Sequence, residues 1–220
     1  MSELITLINY IAVSIFGSIL SAAFCGIGKE KKQRNLIVFT VGVALIIEGI
    51  VYYFYGYFDL VNKQKIKEGN EINIVVPTGN FGNILAAYYS KRMGLPIGKL
   101  ICSSNENNVL TDFLNTGIYD KRRDLILTES PSMDILISSN LERLIFEANN
   151  RDAEKTKKLM DELNEKGVYS ISSESKAFLS DFYGNYATEA ETTEEIKRVY
   201  DKTGYIMDTH TAVASCVYGK

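Results

Sequence analysis

The stretch Val75–Leu85, VVPTGNFGNIL, places two glycines around Asn80-Phe81 and adds a second asparagine, Asn83. A β-branched run leads into this turn, and a helix-forming run leaves it. In such a strand–turn–helix unit the backbone N–H groups and the positive end of the helix dipole meet at one point. The chemistry available there is the holding of a phosphate without a lysine. Gly79 and Gly82 are read as positions needing positive φ or close backbone approach, and the amides of Asn80 and Asn83 as added donors or helix caps. The turn lacks the Gly-Lys-Ser/Thr of a Walker loop and the G-x-G-x-x-G of a dinucleotide fingerprint. A KH loop shares G-x-x-G but needs a basic nucleic-acid-binding context. An ordinary tight strand-to-helix turn is the structural alternative.

The elements that must position this turn follow from periodicity. Ile72–Val76 reads as a short buried strand and Asn83–Arg92 as a helix stopped by Gly94. Leu100–Cys102 reads as a second strand, completing a βαβ unit. Helices are expected over residues 108–116, closed by Gly117, over about 132–149, and over 152–166, closed by Gly167. Thr192 and Glu195 offer a capping box for a helix ending near Gly204. This alternation predicts an α/β fold with a partial, doubly wound, mainly parallel sheet.

The N-terminal part differs in composition. Leu4–Cys25 contains no Asp, Glu, Lys, Arg or His, and Leu36–Phe58 contains only Glu48. Each run, if helical, is about 33 Å long, enough for a bilayer core of about 30 Å. Tyr52, Tyr53, Tyr55 and Tyr57 resemble an aromatic belt. The expected organisation is a two-helix membrane-like hairpin over residues 1–60, a polar linker over 61–70 and an α/β domain over 71–220. Two buried helices of a soluble core are the alternative. Lys29, Lys31, Lys32 and Arg34 between the runs favour a cytoplasmic loop, with both termini outside.

Net charge is −3, from 24 basic and 27 acidic residues, so nothing in the overall charge recommends a nucleic-acid partner. Cys25, Cys102 and Cys216 form no CxxC pair, which argues against a disulfide framework or structural zinc and fits a reducing compartment. His210, the single histidine, cannot build a metal site by itself.

Five segments then carry a resemblance: PTGNFGNILAAYYSKRMGLPIGKL, SSNENNVLTDFLNTGIYD, SPSMDILISSNLERL, SDFYGNY and TGYIMDTHTAVA, in this order from about Asn73 to Tyr218. Together they resemble threonine synthase, a lyase of threonine biosynthesis in the fold-type-II class that uses pyridoxal 5'-phosphate. That family converts O-phosphohomoserine and water into threonine and phosphate. The resemblance implies that Gly79, Asn80, Phe81, Gly82 and Asn83 cup the cofactor phosphate, that the partner is a small phosphorylated amino acid, and that the enzyme-like part is cytoplasmic. It also implies a cleft near Asn105 and Asn107, with Asp208, Thr209 and His210 at a helix start. For Asn105 and Asn107 a turn-forming role is the alternative, and for Asp208 and Thr209 a simple N-cap.

The family's Schiff-base lysine sits in an AFKD-like segment upstream of the phosphate turn, and no such segment precedes it here. Lys176, in SKAF, is downstream and in another context. The expectation is a fragment that is inactive alone, with no catalytic residue assigned. A membrane-anchored, non-catalytic cofactor-binding or sensor-like protein is the alternative.

Overall fold

The computed structural model describes residues 31–220, with side chains described from residue 46 onward. It begins with a long helix, α1 (Lys31–Asn62). Three parallel strands follow in the order β1 (Ile72–Pro77), β2 (Ile97–Ser104) and, much later, β5 (Phe182–Tyr186). Helix α2 (Gly82–Arg92) connects the first two strands. Pro77 ends β1, which among the described residues pairs only with β2, so its missing N–H interrupts no ladder on a second side there.

Strand alternation sends side chains to two cores. Val76, Leu100 and Cys102 join Ile84, Leu85, Phe113 and Phe182 on one face. Val75 and Ile101 pack on the other with Val213 and Val217 of α8 (Thr209–Gly219). Helices therefore cover both faces of a parallel sheet, as the alternating sequence predicts.

Helix α3 (Val109–Thr116) leads to a short antiparallel pair, β3 (Ile118–Asp120) with β4 (Val168–Ser170). Between those strands lie α4 (Leu141–Ala148) and α5 (Ala153–Lys166). The rings of Tyr119 and Tyr169 stack with centroids 5.4 Å apart, and Phe113 meets both edge-on. Helices α6 (Ser173–Phe178) and α7 (Glu189–Thr203) flank β5.

Two local expectations are corrected. The helix expected over residues 132–149 is a 3-10 turn at Pro131–Met133, an irregular segment, and then α4. There the Asp134 carboxylate draws donors from Asn105, Asn107 and Thr128, which turns the chain away from helix. The capping box is Thr188–Glu191, not Thr192–Glu195. Thr192 is buried inside the helix with its hydroxyl donating to the Thr188 carbonyl.

The two-helix hairpin is not supported. Its first run, Leu4–Cys25, lies outside the described residues. Among the described residues no helix is long and apolar enough to cross a membrane. The second run lies within α1, whose later half packs on the α/β layer. Ile46 and Tyr57 are buried in the main core, with Ile50, Tyr53 and Phe54 packed beside them at helical spacing. Ile47, Val51, Tyr55 and Phe58 face outward. The Tyr57 hydroxyl accepts from the Gly69 N–H at 2.8 Å and donates to the Asn70 carbonyl at 3.2 Å, folding the polar segment back onto the helix.

Candidate functional site

The turn begins where β1 stops. The Thr78 N–H donates to the Ser103 carbonyl at 2.8 Å, adding one rung to the parallel ladder, so this amide is not free for a ligand. Beyond it the backbone departs from the expectation. The left-handed residue is Phe81, at φ 63°, and neither Gly79 nor Gly82 has positive φ. A non-glycine residue held there is uncommon. The Phe81 ring is buried, 5.8 Å from Phe182, and that burial holds the conformation in place.

Gly79 and Gly82 serve close approach instead. A Cβ on Gly79 would meet the Ser132 carbonyl oxygen at 2.5 Å, and one on Gly82 would meet Asn140 Nδ2 at 3.3 Å. The surrounding segment takes up the turn's acceptors: Ser138 Oγ donates to the Gly79 carbonyl at 2.9 Å, and the backbone N–H and Nδ2 of Asn140 donate to the Asn80 carbonyl at 3.2 and 3.0 Å.

The donor side is left differently. Helix α2 opens at Phe81 without a side-chain cap. An α-helix leaves its first amides without intrahelical partners, and across this start the Leu85 N–H donates to the Phe81 carbonyl at 3.1 Å. Those amides and the positive helix end adjoin a cavity of about 480 Å³ lined by Thr78, Gly79, Asn80, Phe81, Gly82 and Asn83. Its opposite wall is α1, through Ile46, Glu48, Gly49 and Tyr52, and Asn140 closes one side. Among the described residues its lining has no Lys or Arg. A turn whose Gly79 and Asn80 carbonyls are already bonded, beside an uncapped helix start and a cavity, suits an oxyanion.

All five residues expected at the phosphate are thus brought together. The other five form a separate support. Asn105 is buried, and its Nδ2 donates to Thr128 Oγ1 at 2.8 Å, Ser130 Oγ at 3.0 Å and Asp134 Oδ1 at 2.8 Å. Asn107 is tied to Ile126 through both ends of its amide and to Asp134. Asp208 caps α8, accepting from the N–H groups of His210 and Thr211. Its carboxyl is held below the usual range, chiefly by the Thr211 hydroxyl. Thr209 Oγ1 donates to the Glu129 carbonyl at 2.6 Å, and His210 Nε2 accepts from the Ser132 N–H at 3.4 Å. These residues fix the segment 126–134, whose Ser132 carbonyl abuts Gly79. Lys176 Nζ donates to the Leu114 carbonyl and is not among the cavity's lining residues.

Sequence reasoning did not single out Asn140, Ser132 or Ser138, although all three lie in the quoted SPSMDILISSN. It placed Tyr53 in an aromatic belt, whereas the Tyr53 hydroxyl donates to Asn83 Oδ1 at 2.7 Å.

Comparison with known proteins assigns the architecture. No protein-family model matches the chain. The PLP-bound threonine synthase from Brucella melitensis superposes with a TM-score of 0.75 and 41% identity, over 80% of this chain and 37% of that one. The yeast threonine synthase structure gives 0.75 and 38% over the same share of this chain. The fold is therefore that of part of a pyridoxal-phosphate-dependent threonine synthase.

Human threonine synthase-like 1 is 45% identical over 177 residues, 78% of this chain and 23% of that protein. Threonine synthase of Saccharomyces cerevisiae is 39% identical over 204 residues, 86% of this chain and 39% of that enzyme. The chain has a partial threonine-synthase-like fold and spans well under half the length of the curated relatives it matches. A likeness over 80% of the chain is longer than residues 71–220 and so reaches upstream of residue 71.

Proposed function

We propose that this chain carries the phosphate-holding half of a threonine-synthase-like site, with the turn Gly79–Asn83 seating the phosphate of pyridoxal 5'-phosphate. The observation that carries the reading is the uncapped start of α2 beside the 480 Å³ cavity, with the turn's carbonyls already satisfied from residues 138 and 140. The crowding around Gly79 and Gly82 suits a cradle whose backbone must lie close to its neighbours.

When bound, pyridoxal phosphate supplies an electron sink for charge developing at a substrate carbon. The residues of this chain orient and bind. The amides of Gly82 and Asn83 donate to an anion, the Asn side chains add donors, and the buried Phe81 ring keeps the turn from relaxing. The substrate class, a phosphorylated amino acid, and the lyase reaction giving threonine rest on the resemblance to the family. With no lysine matching the family's covalent anchor, we infer that this chain alone forms no threonine.

Titration calorimetry on the 220-residue chain tests the reading. Pyridoxal phosphate and inorganic phosphate are expected to compete for one site with a Kd of order 1 mM, about −4 kcal/mol, while pyridoxal without phosphate binds far more weakly. Equal binding of pyridoxal and its phosphate, or no phosphate binding at tens of millimolar, overturns it.

A further inference from the structure

We propose that Tyr53 is a positioning residue for the phosphate turn, turning the side-chain amide of Asn83 so that its nitrogen faces the cavity; this rests on the phosphate-holding reading above. Asn83 is the second residue of α2, exposed, and lines the cavity. Its amide has one acceptor end and one donor end. The Tyr53 hydroxyl lies 2.7 Å from Oδ1, so the carbonyl end is engaged by α1 and the NH₂ end is the part left to offer elsewhere. An inverted amide would instead aim its oxygen at the anion, where two acceptors repel.

Two features make Tyr53 suited to this task. Its ring packs against the main core beside Ile50 and Phe54, so few rotamers are open to it. Burial also pushes its phenol well above the ordinary value, so the hydroxyl remains a donor throughout the physiological range. A serine or threonine on a flexible loop would orient the amide less tightly. The helix start has no side-chain cap, so the orientation of Asn83 comes from a residue thirty positions earlier in the chain.

The test uses the 220-residue chain, inorganic phosphate as probe, and Tyr53→Phe, which keeps the packed ring. Tyr53→Phe is expected to weaken phosphate about three- to tenfold, the effect of one lost hydrogen bond. Asn83→Ala should weaken it by a similar factor, and the double variant by no more than either alone. Asn83→Asp, which keeps an acceptor for Tyr53 but removes the NH₂, should weaken it further. Independently of ligand, the ¹⁵N-labelled Asn83 side-chain amide should give two resolved proton signals that move together in Tyr53→Phe. A wild-type chain that binds no phosphate overturns the phosphate reading and this role with it. Wild-type binding combined with unmoved Asn83 signals, or with additive losses in the double variant, overturns the role of Tyr53 alone.

Discussion

The carbonyl oxygen of Ser132 stands 2.5 Å from where a Cβ on Gly79 would be, backbone against backbone with no side chain able to swing aside. Gly79→Ala must therefore move either the turn or the segment that the Asn105 network and His210 hold in place. We expect a loss of about 1–3 kcal/mol, read by chemical denaturation, together with weaker phosphate binding. An unchanged midpoint would mean that the two segments separate freely.

The carboxylate of Glu48 lines the same cavity as the phosphate turn. A carboxylate facing an anion costs affinity, and a neutral isostere removes that cost. Glu48→Gln should tighten inorganic phosphate by about two- to fivefold, an effect under 1 kcal/mol in a screened site. The gain should shrink as salt rises, which calorimetry at two ionic strengths would show.

Asp134 gathers four donors: Asn105 Nδ2, Asn107 Nδ2, and the N–H and hydroxyl of Thr128. Replacing it with Ala removes four bonds: Asn105 Nδ2 keeps Thr128 and Ser130 as acceptors and Asn107 Nδ2 keeps the Ile126 carbonyl, while the Thr128 N–H loses its Asp134 acceptor. About 1–3 kcal/mol should be lost. Hydrogen exchange should rise across residues 126–138 before it rises in β1 or β2. Uniform change through the sheet would instead mark Asp134 as a global core residue.

Glu191, Glu195 and Asp208 all have carboxyls held below their ordinary values. The first-named causes are the Lys220 ammonium, the Arg198 guanidinium and the Thr211 hydroxyl, respectively. A depressed folded pKa contributes stability that is present above the unfolded value, about 4, and is lost as pH falls through the folded value. Thermal stability should therefore be flat from these groups above pH ~5 and fall below pH ~4. Glu195→Gln should flatten part of that acid limb, since its carboxylate also accepts from Ser215 and so joins α7 to α8.

Burial pushes the Cys102 thiol up to about 12. Cys216, half-buried, is raised as well, by desolvation first. Peptide-resolved thiol labelling at pH 8 should modify Cys216 well before Cys102, because only the thiolate reacts. Labelling of Cys102 should track unfolding of β2.

The βαβ unit was readable because its signals agree. The β-branched run Ile72–Val76, the apolar spacing of Ile84, Leu85 and Tyr88, and the stops at Gly94 and Gly117 all act locally. The strand-to-helix turn at residues 78–82 was readable for the same reason. Close approach at Gly79 and Gly82 was expected, but the neighbour was not legible, because the Ser132 carbonyl comes from a segment about fifty residues away. Nor was the place of α1, since apolar residues stand on both its packed and its exposed faces and do not mark which one is buried. Tyr53 and Tyr57 contact the turn and the returning chain through hydroxyls, and hydropathy does not register such bonds. The capping box misplaced by one turn reflects two consecutive Thr-x-x-Glu patterns, of which the structure uses Thr188–Glu191 and buries Thr192 inside the helix.

The two hydrogen bonds that tie the Tyr57 hydroxyl to Gly69 and Asn70 bear on how this polypeptide tolerates truncation. A version starting at residue 71 sheds both partners of that clasp, strips Ile46 and Tyr57 from the main core, and removes the helix that walls one side of the anion cavity. A cut chosen by hydropathy alone would amputate part of the very pocket it was meant to isolate.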